Sequence, residues 1–398
     1  MPWPFARKSL AVLTSSVTDT STSPSTRFAF KLFRELAGGD GSNVFFSPAS
    51  VMLCLAMVHE AATGETRQAM AKALEIADLN PVDTGLAIAE LRAPFRQREH
   101  VEVRGANALW CSDRLQVRPE YAARVRDMYD AELATADFGA GNAVPRINAW
   151  VNQKTKGKIS HIVDALSPLT ALVAVNAIYF KGRWTRTFER KLTRDGLFTT
   201  VTGQKKQLPM MCQSGRYSYY EDRRLQAVVL PYEGDMAMLV ILPAKGTDSR
   251  QFQQSLSSGA WESWLARCKQ AGGTIQIPRF KLDYCALLER ALKALGMERA
   301  FDPDRAEFDG VRAGQLRVWI DQVLHRAVAD VNEEGTEEAA ATAVLVPASA
   351  ARFNRPPRLF QMIVDHPFFV MIRRLSPSQR GLLLPGFRRI GHPLRRRI

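Results

Sequence analysis

The residues of this 398-residue chain best suited to nucleophilic, acid–base or metal chemistry are six histidines and five cysteines. Their spacing decides against most of that chemistry. His59-Glu60 opens like the zinc-binding helix of a metalloprotease, but residue 63 is Thr, so the second imidazole one turn on is missing. Cys54, Cys111, Cys212, Cys268 and Cys285 are scattered without a CxxC pair, which argues against a zinc site, and their odd number argues against a disulfide framework. No GxSxG turn presents a serine nucleophile, and no Walker loop or GxGxxG cradles a phosphate. These patterns predict no turnover, no cofactor and no metal.

A different kind of chemistry is suggested by a stretch with little bulk in its first half. Residues 332–357, NEEGTEEAAATAVLVPASAARFNRPP, lie between two apolar strand patterns. A structureless segment of this length inside a compact domain is uncommon and is usually functional. Composition alone favours an Ala-rich connector or a poor helix. Read as a strand, it alternates Thr336, Glu338, Ala340, Thr342, Val344 and Val346 on one face with Glu337, Ala339, Ala341, Ala343 and Leu345 on the other.

The elements around it divide into an early helical part and a later strand-rich part. Ser25/Thr26 are positioned to cap RFAFKLFREL, and Ser47-Pro48 to start ASVMLCLAMVHEAA. Helical patterns follow at ETRQAMAKALEI, LAIAELRAPF, PEYAARVRDMY and PRINAWVNQKTKG. From Leu169 the runs ALVAVNAIYF, QLPMMCQSGRYSYY, LQAVVLPY and MAMLVILPA read as strands between Gly, Asp and Pro punctuation. A helix around SRQFQQSLSSGAWESWLARC, a strand TIQIPRFKL and a helix CALLERALKALGM come next. QLRVWIDQVLHRAVADV, RLFQMIV, HPFFVMIRR and GLLLPGF then read as strands. The expectation is an α+β chain with mostly antiparallel sheet, one domain over residues 25–398 and a flexible arm over residues 1–24. The apolar run from Leu169 to Phe180 is too short for a membrane span.

In this order the motifs resemble the serpin family from about Phe28 to Ile390. NVFFSPASV (43–51), INAWVNQKTKGKI (147–159) and NAIYFKGRWTRTF (176–188) resemble three of its signatures. LQAVVLPYEGDMAMLVILP, ALKALGMERAFDPDRAEFDGV, VLHRAVADVNEEGTEEAAAT and the pair HPFFVMIRR with GLLLPGF continue the series. Single matches of this kind are weak, but six or more in order are specific.

The resemblance implies a fold of three β-sheets with about eight or nine helices and an exposed reactive-centre loop, here about residues 333–357. It implies a suicide inhibitor of serine endopeptidases: the loop is cleaved, the acyl-enzyme is trapped, and the cleaved loop inserts into the central sheet. Serpin loop insertion is itself a recognised instance of strand addition and of released strain. The active form would then be metastable, its stability a rate. Glu333, Gly335, Thr336, Glu338, Ala339, Ala340, Ala341 and Thr342 match the loop's hinge, with the Thr336 face turned to the core. Small residues suit a strand that must enter between packed neighbours. Glu338 departs from the family's Ala, Gly or Ser, and burying its carboxylate costs on the order of a few kcal/mol unless it is paired. The family spacing places the reactive bond at Ser349-Ala350, whose small apolar flank suits an elastase-like or subtilisin-like protease. Arg352 and Phe353 are the alternative cut sites, trypsin-like and chymotrypsin-like. Ser47, Ser50, Asn176 and His325 match a polar cluster that controls sheet opening, and Trp184 matches the tryptophan where the loop enters. Each also reads more plainly as a cap, a buried hydrogen-bond partner or a core aromatic. A non-inhibitory serpin with a carrier, chaperone or storage role is the second reading, motivated by Glu338.

The formal charge of +14 is partly concentrated in the C-terminal tail, residues 388–398, with Arg388, Arg389, Arg395, Arg396 and Arg397. Such a tail suits polyanions, but a solvated surface is the plainer reading and the one favoured here. No aromatic-interleaved basic motif supports nucleic-acid readout. The expected partner is a target protease in covalent complex, with the protein a monomer and no membrane involved. The family points to an extracellular setting. A poor signal sequence at Arg7-Lys8 and no Asn-x-Ser/Thr acceptor point to the cytoplasm, and the compartment stays open.

Overall fold

The computed structural model describes residues 10–15, 23–38, 42–95, 99–336 and 359–375. The first half comprises strand β1 (Leu10–Ser15), helix α1 (Pro24–Ala37), β2 (Val44–Phe46), α2 (Pro48–Ala61), α3 (Gly64–Ala73), α4 (Pro81–Arg92), β3 (Val101–Ser112), α5 (Pro119–Tyr129), β4 (Glu132–Ala136) and α6 (Ala143–Lys154). Next come β5 (Leu172–Arg183), β6 (Arg194–Thr199), β7 (Lys205–Glu221), β8 (Leu225–Pro231), β9 (Met236–Pro243), α7 (Ser249–Ser255) and α8 (Ser258–Arg267). The rest are β10 (Lys269–Pro278), β11 (Phe280–Leu287), α9 (Glu289–Leu292), β12 (Ile320–Asn332), β13 (Gly335–Thr336), β14 (Phe360–Ile363) and β15 (Phe368–Arg374). Among the described residues no helix is long and apolar enough to cross a membrane.

Local signals explain several boundaries. Ser47 accepts from the Ser50 N–H and Pro48 takes the first turn, so α2 begins at the Ser-Pro pair. Helix α1 starts slightly earlier than Ser25/Thr26 suggest, because Ser23 is the residue that accepts from the Thr26 N–H, ahead of Pro24. The run TIQIPRFKL is two strands in two sheets. The chain changes sheet at Pro278-Arg279, where proline has no N–H to give a ladder and the Arg279 N–H turns to the Pro209 carbonyl. The helix expected over CALLERALKALGM shrinks, since Tyr284 to Leu287 pair with Leu324 to Ala327 of β12 and tertiary pairing overrides helix propensity. Likewise α7 and α8 are separate helices, the second capped by Ser257.

Two sheets carry the architecture. The six-stranded one runs β11-β12-β13-β5-β3-β4, and the nine-stranded one runs β14-β10-β7-β8-β9-β15-β1-β2 with β6 on β7. Two of the three expected sheets are hydrogen-bonded into this larger one, because β7 is long enough to serve both: its first part pairs with β6 and its last with β8. The opening arm is corrected in part. Leu10–Ser15 pairs parallel with both β15 and β2, in keeping with a run of apolar and β-branched residues. Strand β15 is thereby flanked by β9 and β1, while GLLLPGF lies outside the described residues.

The core lies on both faces of the six-stranded sheet. Ile178 and Phe180 of β5, with Ala327, Ala329 and Val331 of β12, face the larger sheet. Val173, Val175, Ala177, Tyr179, Leu324 and Val328 face α6. Burial on two faces is why β5 reads as a near-continuous apolar run, interrupted at Asn176. Beyond α6 the chain reaches over to β11 and β12. There Arg326 forks onto Asp283 at 2.8 Å twice and donates to the His161 carbonyl, while Cys285 Sγ lies 3.8 Å from the Ile162 carbonyl.

Candidate functional site at the head of the central seam

Strands β5 and β12 run parallel over Leu172–Phe180 and Ile320–Ala329, with His325 opposite Asn176. Above Phe180 they part, and β13 lies between them, antiparallel to both. Thr336 faces Val331 on one side and Gly182 on the other; Gly335 faces Asn332 and Arg183. The offset between β5 and β12 is the same across this wedge as in the closed seam below it. The strands have separated without slipping. Gly335 sits at φ +144°, and a Cβ there would meet the Gly182 carbonyl oxygen at 2.1 Å, so the position admits glycine alone.

Backbone and charge together hold the bend before β13. The Trp184 N–H donates to the Glu334 carbonyl at 3.0 Å and the Phe188 N–H to the Glu333 carbonyl at 2.7 Å. The Trp184 indole N–H donates to the Asn332 carbonyl at 3.0 Å, and its ring stacks on Tyr232 with centroids 4.3 Å apart. Trp184 therefore fixes the residues just before the wedge from two directions. The Glu333 side chain, 3% exposed, accepts from Arg279 and from the Thr193 hydroxyl. Burial pushes its carboxyl up, but the bonds from Arg279 and Thr193 outweigh that and hold it below the ordinary value. Glu334 pairs with Arg190 at 2.9 Å.

Lower in the seam the four polar residues named from the sequence converge. His325 is fully buried, with Nδ1 2.5 Å from Asn176 Oδ1 and Nε2 3.4 Å from the Ser47 backbone N–H. Asn176 Nδ2 donates to Ser50 Oγ at 2.5 Å and also to Asn107 Oδ1. An amide oxygen on one side and an N–H on the other require the neutral ring protonated on Nδ1. Desolvation pushes its pKa down to about 3, so no positive charge forms here at neutral pH. The cluster has no exposed nucleophile or base. It is a set of satisfied hydrogen bonds lying across the seam.

Glu333, Gly335, Thr336 and Trp184 thus meet at the wedge, and Ser47, Ser50, Asn176 and His325 meet below it. Glu338, Ala339, Ala340, Ala341, Thr342, Ser349, Ala350, Arg352 and Phe353 lie outside the described residues, as do the tail arginines. Sequence reasoning missed Arg279, Thr193, Arg190 and Asn107. A signal existed for Arg279, a charge following proline in an apolar strand pattern. The pairing of Asn107 with Asn176 across β3 and β5 needed the register.

Compared with known proteins, residues 23–380 match the family described as Serpin (serine protease inhibitor). The chain is 37% identical over 350 residues to an uncharacterized serpin-like protein of Thermococcus kodakarensis, covering 87% of this chain and 80% of that protein. Leukocyte elastase inhibitor of Bos taurus is 34% identical, over 90% of this chain and 96% of the relative. The structure of the thermophilic serpin Tengpin in the native state superposes with a TM-score of 0.79 at 25% identity, covering 90% of this chain and 93% of that one.

Proposed function

This chain belongs to the serpin family, and we propose that it is a single-use inhibitor of serine proteases whose cleaved loop extends β13 down the seam between β5 and β12. The observation that carries this reading is the wedge itself: two residues of the loop's hinge already lie between the strands, in a register that the closed seam below continues. Extension replaces one parallel pairing by two antiparallel ones, which are somewhat more stable per residue.

Continuing that register gives each loop residue a neighbour. Glu338 falls between Phe180 and Ala329, Ala340 between Ile178 and Ala327, and Thr342 between Asn176 and His325. Phe180, Ala329, Ile178 and Ala327 belong to the core between the two sheets, which supports turning the Thr336 face to the core side. Insertion at Thr342 must break the bond from His325 to Asn176, and the arriving hydroxyl can donate and accept in its place. Glu338 meets an aromatic ring and a methyl group, which favours its protonation and slows the step.

The proposed reactive bond is Ser349-Ala350, and the proposed targets are elastase-like or subtilisin-like proteases, a choice supported by the kinship with leukocyte elastase inhibitor. Mixing the protein with each protease should give an SDS-stable covalent complex and a C-terminal fragment beginning at Ala350. A fragment beginning after Arg352 or Phe353 moves the bond. Nicked protein with no complex returns the second reading, a non-inhibitory serpin, which Glu338 favours. Polyanion binding through Arg388, Arg389, Arg395, Arg396 and Arg397 is the further proposal for the tail. It requires salt-sensitive retention on immobilised heparin that truncation at residue 388 abolishes.

A further inference from the structure

The chain re-enters the described structure at Leu359, and beside it opens a cavity of about 570 Å3 that the inhibitory reading does not use. One wall is aromatic. The Phe360 ring lies parallel to Tyr219 with centroids 3.7 Å apart, seated on the bare backbone of Gly273, where a Cβ would lie 2.3 Å from the ring. Tyr220 continues that wall, with the Arg267 guanidinium 6.0 Å above its ring and Arg267 Nη1 3.3 Å from its hydroxyl. Lys269 stands at the rim with Leu359, whose side chain is 69% exposed. Glu221 is the carboxylate among the described lining residues, and it is engaged by the Tyr219 hydroxyl at 2.6 Å.

Volume, apolar lining and polar groups at this scale are those of a small-molecule site, for which about 300–1,000 Å3 is usual. We infer that this cavity binds a small aromatic anion, an aryl carboxylate or sulfonate. Its ring packs on Tyr219, Tyr220 and Leu359, and its acid group is met by Arg267 and Lys269. The aromatic faces select a flat ring over an aliphatic chain of equal size through stacking and edge contacts. Arg267 is held over Tyr220 by its own hydrogen bond, so its guanidinium is oriented before a ligand arrives and less side-chain freedom is lost on binding. A bound ring would bridge α8, β7 and β10 to Leu359 and to Phe360, the first residue of β14, an edge strand of four residues paired only to β10 among the described residues. The ligand therefore anchors the strand on which the loop ends.

The test uses 2-naphthalenesulfonate and calorimetry on the full chain. Saturable one-to-one binding is expected, at least tenfold weaker for the neutral 2-naphthalenemethanol and at least tenfold weaker for inorganic sulfate. The double variant Arg267→Glu, Lys269→Glu should lose at least tenfold in affinity while keeping its circular dichroism, since both side chains are exposed. Tyr220→Ala gives an independent aromatic variant with the same expected loss. Bound ligand should slow amide exchange in residues 360–363. Equal affinity in the double variant, equal affinity for the neutral alcohol or the bare sulfate, or unaltered exchange in β14 would each overturn the proposal. None of these readouts involves a protease, so their failure is separable from failure of the inhibitory reading.

Discussion

His325 and Asn176 are joined across the parallel seam of the central sheet, the imidazole donating from Nδ1 to the amide oxygen 2.5 Å away. The ring's other nitrogen faces the Ser47 N–H, so a second proton would set two donors against each other. The folded value of about 3 lies far below the ordinary 6.5. The stability this residue contributes is therefore whole above pH 6.5 and is lost as pH falls towards 3, at about 1.4 kcal/mol per pH unit. His59, held at about 4 by burial and then by the Arg67 charge, adds to the same fall. Thermal midpoints between pH 7 and pH 4.5 should drop steeply in the parent and less steeply in His325→Gln. An unchanged slope in the variant would remove His325 from this account.

The Glu333–Arg279 pair should matter most among the ion pairs at the wedge, because its carboxylate is 3% exposed. Glu333→Lys leaves two cations facing each other; the site of Glu333 is buried but Arg279 is half-exposed and screened by solvent, so the cost should be about 1–3 kcal/mol. The double variant Glu333→Arg, Arg279→Glu should recover part of that loss in urea unfolding. A depressed carboxyl contributes above its ordinary value of 4.5 and fades as pH falls through the lower folded value. The parent and Glu333→Gln should accordingly converge in acid. A constant gap between them would contradict the assignment.

Gly335→Ala forces a Cβ to within 2.1 Å of the Gly182 oxygen at φ +144°. The hinge should leave the seam, at a cost on the order of 1–3 kcal/mol. Trp184 reports it directly, since its backbone and indole N–H both bind residues 332–334. Faster exchange of the Trp184 amide and a shifted tryptophan emission are expected. Parent-like exchange would mean that the wedge tolerates a side chain.

Glu338→Ala removes the carboxylate from a position that the continued register sets between Phe180 and Ala329. If its desolvation raises the insertion barrier by about 1.4 kcal/mol, the variant inserts about tenfold faster. The ratio of SDS-stable complex to cleaved protein should rise accordingly. A ratio equal to that of the parent would show that Glu338 finds a partner in the inserted form.

Much of this was legible in the residues themselves. The Ser47-Pro48 start, the near-continuous apolar run of β5 and the polar residues Asn176 and His325 inside strands were all visible, because each is a local pattern or a lone polar residue in an apolar frame. The shared offset of β5 and β12 was not visible, nor were the partners Arg279, Thr193 and Asn107, since these depend on which strands meet. Leu10–Ser15 was hidden for a related reason. A short apolar run carries no mark of whether an edge awaits it, and here both β2 and β15 present one. That β7 joins β6 at one end and β8 at the other was not visible either, because nothing in QLPMMCQSGRYSYY announces a change of neighbour midway.

The unslipped offset of β5 and β12 has a mechanical meaning. To admit a full extra strand, β12 must travel sideways by about 4.8 Å, one strand spacing, with no motion along its own axis. Under the proposed insertion strand β11 would go with it, so the molecule would part like a drawer sliding from its cabinet, the cabinet being the block of β3, β4, β5 and α6. Besides the bond from His325 to Asn176, the grips that cross the gap include those of Arg326 and Cys285 on the carbonyls of His161 and Ile162. Each of these would have to let go before the drawer could open.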